Sequence, residues 1–179
     1  MEAIWQWLEA LWQGIEAAVW SLRATEMSLF IRQESYWVWP TLETFHFTGM
    51  AMLIGAIGLF DLRVLGMAKA IPPAAIHRLI PWAIAGFFIN ITTGILFFIG
   101  NPDQYAFNNA FHFKVAFLTL AGLNIVAFYT TAFQEVKALP AGADAPLRSK
   151  VITAISLSSW VGVIICGRLL TWFRPVYVF

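Results

Sequence analysis

Residues 44–60 read TFHFTGMAMLIGAIGLF, a run without one charged side chain. A helix needs about 20 apolar residues to cross hydrocarbon, and this run meets that length when extended to Trp37 and Leu62. Three further stretches do the same: Leu79 to Gly100, Phe111 to Phe133 (charge-free from Val115) and Val151 to Leu170. Pro40 and Pro81 fall near helix starts, where a missing N–H costs nothing, and Asn101-Pro102-Asp103 closes the second stretch with turn chemistry. A spanning sheet is excluded, because an open sheet leaves its edges unsatisfied in lipid and no dyad pattern appears.

Composition agrees. Of 179 residues, 60% are hydrophobic and 12% charged, where soluble domains carry roughly 25% charged residues. Eleven Lys and Arg against ten Asp and Glu give no electrostatic footprint for nucleic acid. The single cysteine, Cys166, rules out a disulfide framework and a cysteine metal cluster. The fold expected is all-α: a four-helix transmembrane bundle over residues 36–179, preceded by an amphipathic interfacial segment over residues 1–35.

Loop charges predict the orientation. Arg63, Lys69 and Arg78 lie between the first and second spans, and Lys137, Arg148 and Lys150 between the third and fourth, whereas residues 101–110 contain no Lys or Arg. The positive-inside rule makes the two basic loops cytoplasmic and turns both termini outward, to the periplasmic side of a bacterial inner membrane. Trp37, Trp39 and Trp172 then mark the outer interface and Trp82 the inner one, while mid-span Trp160 needs a protein contact. Glu2 opens the chain and the first basic residue is Arg23, so signal cleavage is not expected.

At the N-terminus, Glu2, Gln6, Glu9, Gln13 and Glu16 recur on one helical face. Ile4, Leu8, Leu11, Ile15, Val19 and Leu22 line another, with Trp5 and Trp12 beside them. Such a helix is too polar to span and lies on the bilayer surface or docks on a partner membrane subunit. A second short helix is expected over Met27–Gln33. No repeat or low-complexity segment stands out, and Leu139 to Leu147 reads as a plain connection.

Ionisable groups inside a span are costly enough to mark function by default. Glu43 and His46 are three apart and share a face of the first span. His112 and Lys114 open the third, and Arg168 lies near the outer end of the fourth. All five fall in the outer half, where a bundle could gather them, with Glu43 pairing to Lys114 or Arg168. Asn90 and Asn124 read as interhelical glue, and Ala154, Ser158, Gly162 and Cys166 as a small-residue contact stripe. His46 is the most informative. It lies about 14 Å below Trp37 by helical rise, and Gly49 and Met50 beside it leave a notch for a flat macrocycle. Histidines on neighbouring helices hold haem b in membrane bundles. His112 matches the depth of His46 if the third span begins near Tyr105, and misses it by roughly 10 Å if it begins at Phe111. Zinc or di-iron chemistry lacks its carboxylates, and no phosphate loop or nucleophile elbow is present.

The strings Pro40-Thr-Leu-Glu43-Thr-Phe-His46-Phe-Thr-Gly49, Asp61-Leu-Arg63-Val-Leu-Gly66 and Arg78-Leu-Ile-Pro81-Trp82, with Lys114 and Gly122-Leu-Asn124, resemble a family of bacterial four-helix inner-membrane proteins built on a domain of unknown function. The likeness covers roughly Trp37 to Phe133. It implies a bundle in which Glu43, His46, Arg63, Arg78, Lys114 and Asn124 form a shared framework, and it implies no activity. The amphipathic start and His112 are peculiar to this chain.

Two functions follow as expectations. In the first, a b-type cytochrome-like protein carries electrons near the outer leaflet, with quinone as partner, His46 and His112 as iron ligands, and Glu43, Lys114 and Arg168 holding propionates or guiding protons. In the second, a non-catalytic transmembrane subunit clamps onto a larger complex through its N-terminal helix. Either is compatible with a homo-oligomer, whereas solute transport finds little support in four unbroken spans.

Overall fold

The computed structural model of the chain describes residues 1–34 and 36–174, so the boundary expected at residue 35 and the last five residues lie outside the described ones. Helix α1 (Glu2–Arg23) is followed by a single turn, α2 (Glu26–Leu29), and a π-helical turn over Phe30–Glu34. Then come α3 (Val38–Leu65), short α4 (Pro73–His77), α5 (Ile80–Gly100), short α6 (Pro102–Ala106), α7 (Asn109–Thr131), short α8 (Phe133–Lys137) and α9 (Leu147–Leu169). Among the described residues there is no strand. The stretches containing α3, α5, α7 and α9 have a mean hydropathy of 1.6 to 1.9 and are long enough to cross a bilayer, as a multi-pass membrane protein requires.

The bundle is two helix pairs rather than a closed square. Helix α3 packs along α5, α7 packs along α9, and α3 crosses α9 to join the pairs. The α3–α5 contact is a backbone one. A Cβ on Gly86 would collide with Gly49 O and stand 2.9 Å from Leu53 N, so the two helices meet through glycine. Gly162 does the same for α9 on α7, where a Cβ would strike the Phe117 ring at 2.8 Å. The expected small-residue stripe on α9 is therefore only partly a contact: Gly162 and Cys166 are buried, but Ser158 is exposed. Helices α5 and α7 make little contact, and a cleft of about 1600 Å³ lies between the two pairs.

Both basic loops fold together at one end. Arg63 is fully buried there; its Nε donates to Ile71 O at 2.5 Å and its guanidinium to Ala143 O at 3.2 Å. Lys69 and Lys150 both pair with Asp144, at 2.7 and 3.0 Å. Phe60, Val64, Ile76, Phe128 and Val136 fill the space beneath. Gly66, at φ +107°, lets α3 end in a left-handed cap before this loop.

The opposite end is closed by the N-terminal segment. Thr25 caps α2, Ser28 Oγ donates to Gly100 O at 3.1 Å, and Arg23 pairs with Asp103 after α5. Trp12 packs against Phe107 at 5.5 Å. Asn108 caps α7 through Ala110 N and donates to Leu170 O at 2.9 Å, tying the α7 start to the α9 end. Most of α1 stays exposed on both faces, including Trp5, Leu8, Leu11 and Ile15.

Two outcomes are expected. Gly86→Ala should cost about 2 kcal/mol of unfolding stability in detergent, as overpacking against backbone does. Gly55→Ala, with nothing within 4 Å of its added Cβ, should instead be neutral or stabilising by up to about 1 kcal/mol; equal losses would deny the close contact. At the other end, hydrogen bonds from Lys69 and Lys150 hold the exposed Asp144 carboxyl below its ordinary value of 3.8. A depressed carboxyl stabilises above its unfolded value and loses that contribution as pH falls through the lower folded one. Stability measured against pH should therefore fall less steeply below about pH 4 in Asp144→Asn than in the native chain.

Candidate functional site

Glu43, His46, Lys114 and Arg168 come together at the α1 end of the cleft, on α3, α7 and α9. His112 does not. Helix α7 begins at Asn109, between the two starts weighed from sequence, and His112 sits exposed in its first turn with Nε2 2.9 Å from Ala106 O. It is outside the residues that line the cleft, so the pairing of His46 and His112 around one iron is not formed.

His46 is held in one orientation. Its Nδ1 lies 2.7 Å from Thr93 Oγ1. The Thr93 hydroxyl has a single hydrogen, already directed at its own helix, with Ile89 O at 2.7 Å. This geometry suits the neutral tautomer in which Nδ1–H donates to Thr93 Oγ1 and Nε2 keeps its lone pair. Phe97 meets the imidazole edge-on at 5.4 Å and in turn stacks with Trp39 at 4.9 Å. Phe98, Tyr105 and Phe111 extend this aromatic wall from α5 across α6 to α7, with centroids 5.5 to 6.3 Å apart.

The expected notch at Gly49 is not open. A Cβ there would meet Asn90 Nδ2 at 2.7 Å and Gly86 O at 2.9 Å, so α5 fills it. Asn90 donates to Gly86 O at 2.9 Å and serves that contact. Any flat ligand must lie against the cleft face of His46 instead.

Charge at this end is unbalanced. Glu43 does not pair with Lys114 or Arg168; it accepts from Trp39 Nε1 at 3.0 Å, one turn back on its own helix, and remains exposed at the mouth. Next to it, burial pushes the Tyr105 hydroxyl up to about 12, with Glu43 adding to the shift and Arg174 opposing it. Lys114 reaches across to α9, its Nζ 3.8 Å from where a Gly167 Cβ would be, and no acceptor among the described residues meets it. Arg168 and Arg174 line the same mouth. The arrangement offers a directional lone pair, an aromatic wall and surplus cations: a site for a flat, apolar, peripherally anionic ligand. Among the described residues no three His, Cys, Asp or Glu side chains assemble as a bare metal ion needs.

The other end of the cleft holds a group that sequence reading passed over. Asp61 is 3% exposed and lines the cleft, with Oδ2 lacking a hydrogen-bond partner among the described residues. Ending the first span at Leu62 put Asp61 at an interface; the helix runs on to Leu65 and draws the carboxyl inside. Trp160 is 4% exposed, and its Nε1 is likewise unpartnered. It found the protein contact that its mid-span position demanded, against Leu53, Ala56 and Val163, but only for its ring.

Comparison with known protein families, with curated proteins and with solved structures returns no match to this chain.

An unpaired ammonium in a membrane cleft stores instability. Lys114→Met should raise the unfolding stability of ligand-free protein by about 1 kcal/mol, whereas exposed Glu43→Gln should change it by less than about 0.5 kcal/mol. A Lys114→Met protein that melts earlier than its parent would show that the ammonium has a stabilising partner.

Proposed function

We propose that the protein is an integral-membrane, b-type cytochrome-like electron carrier that holds one haem at the α1 end of its cleft. The observation that carries this reading is the 2.7 Å contact of His46 Nδ1 with Thr93 Oγ1 on a cleft-lining side chain, which suits a ring that offers Nε2 as a ligand. Ligand histidines characteristically donate their other ring N–H to a fixed acceptor, which orients the ring and raises its basicity. Lys114, Arg168 and Arg174 suit the two propionates, and the aromatic wall from Phe97 to Phe111 suits the macrocycle edge. A bound haem supplies reversible one-electron transfer. The chain's own part is to orient the imidazole, neutralise the carboxylates and keep water from the ring. His112 has no place among the ligands in this reading.

The cleft opens sideways between α5 and α7, which favours a redox partner dissolved in the membrane, such as quinone. With the Arg63 loops on the cytoplasmic side of a bacterial inner membrane, the haem end and both termini face the periplasm. The exposed apolar face of α1 then rests at the outer bilayer surface. That same face also favours a second reading, in which α1 docks a non-catalytic subunit onto a larger membrane complex.

Protein purified from cells supplied with haem precursor should show a Soret band and a reducible α band. His46→Ala should abolish or strongly shift both. Thr93→Val should weaken haem retention about 10- to 100-fold, the usual cost of losing the partner behind a ligand. His112→Ala should leave the spectrum unchanged. A colourless native protein, or a spectrum that survives His46→Ala intact, would discard the cytochrome reading.

A further inference from the structure

The cleft is larger than one cofactor site. Its volume of about 1600 Å³ exceeds the roughly 300–1,000 Å³ of ordinary small-molecule pockets, and its two ends differ in chemistry. Towards the Arg63 loops, a buried acceptor, Asp61 Oδ2, and a buried donor, Trp160 Nε1, both lack protein partners. The Ser156 hydroxyl adjoins the Asp61 carboxyl. Asn124 also lines this half and makes no hydrogen bond to the described residues. A buried polar atom left without a hydrogen bond costs about 1–3 kcal/mol, so an orphaned acceptor on α3 and an orphaned donor on α9, both lining the cleft, call for a ligand that satisfies both.

The geometry limits what that ligand is. Ser156 and Trp160 are one turn apart on α9, about 6 Å of rise, comparable to the separation of two oxygens at opposite edges of a six-membered ring. Buried Arg63 gives its Nε and one terminal nitrogen to Ile71 O and Ala143 O and does not line the cleft. The cations that do, Arg23, Lys114, Arg168 and Arg174, stand at the α1 end, which disfavours a phosphate or carboxylate headgroup here. Phe60 and Phe128, edge-to-face at 5.5 Å, offer flat apolar walls below. Entry is from the bilayer, between α5 and α7. We infer that the Asp61 end of the cleft binds the head ring of a reduced quinone, a quinol, with one ring hydroxyl donating to Asp61 Oδ2 and the other ring oxygen accepting from Trp160 Nε1. This rests on the proposed function in taking quinone as the partner, but needs no haem for binding.

The test uses full-length protein in nanodiscs under reducing conditions, photolabelled with a short-chain azido-benzoquinol and mapped by mass spectrometry. Labelling should saturate, be displaced by unlabelled decyl-benzoquinol, and fall on α9 between Ile152 and Trp160 or on α7 around Asn124. Trp160→Phe, which keeps most of the packing, and Asp61→Leu, which removes the acceptor, should each weaken apparent affinity about tenfold, the worth of one buried hydrogen bond. His46→Ala should leave affinity within about twofold. Colourless protein that still shows this pattern would sink the haem and support the quinol site. Haem-containing protein with labelling that neither saturates nor competes would do the reverse. Labelling concentrated at the His46 end, or undiminished in Trp160→Phe, would also overturn the inference.

Discussion

The approach of α3 and α5 through Gly49 and Gly86 sets the rest of the bundle. Two backbones at that distance leave no room for side chains, so the helices are pinned in depth and rotation relative to each other. His46 lies one turn before Gly49, and Thr93 two turns after Gly86 on the antiparallel partner. The 2.7 Å bond between them is a consequence of the glycine contact. Pulling α5 hard against α3 also draws it from α7, and the cleft is what remains. In a bilayer such close packing, rather than apolar burial, supplies the attraction between helices, since lipid tails are as apolar as leucine.

The ends of the cleft obey different rules. At the α1 end, exposed Arg168 and Arg174 stand at the mouth, where surplus charge is affordable and can steer an anionic ligand, while Lys114 lies deeper with no acceptor among the described residues. At the Arg63 end, Arg63 binds loop carbonyls and Lys69 and Lys150 pair with Asp144, stitching the two loops together away from the cleft. The proposed haem and quinol sites would divide the cleft along this difference in charge.

Much of the frame was legible in the chain. The spans declared themselves because about 20 apolar residues have no other use, and the basic loops met at one end as an antiparallel bundle demands. The gathering of Glu43, His46, Lys114 and Arg168 also followed from depth along each helix. What failed was lateral information. The Gly49 notch looked open because a glycine shows where a close approach occurs and not what makes it; α5 occupies it. Glu43 was expected to pair across helices, yet Trp39, one turn away, was nearer. The depth of His112 hinged on where α7 begins, and an exposed first turn with Ala106 O in reach took its ring away from the cleft. Asp61 was missed because a charge near a span end resembles an interfacial one until the helix length is known. The resemblance to a four-helix membrane family found no counterpart in the comparisons, so the framework it implied for Arg63 and Asn124 stands on their burial alone.

The central claim is that His46 presents Nε2 to an iron in the cleft. Resonance Raman spectroscopy of the reduced protein, purified from cells fed heavy-nitrogen-labelled histidine, tests it most directly. The account predicts an iron–histidine stretching band that shifts with the label. A haem with no label-sensitive band, or no haem to excite, would contradict it.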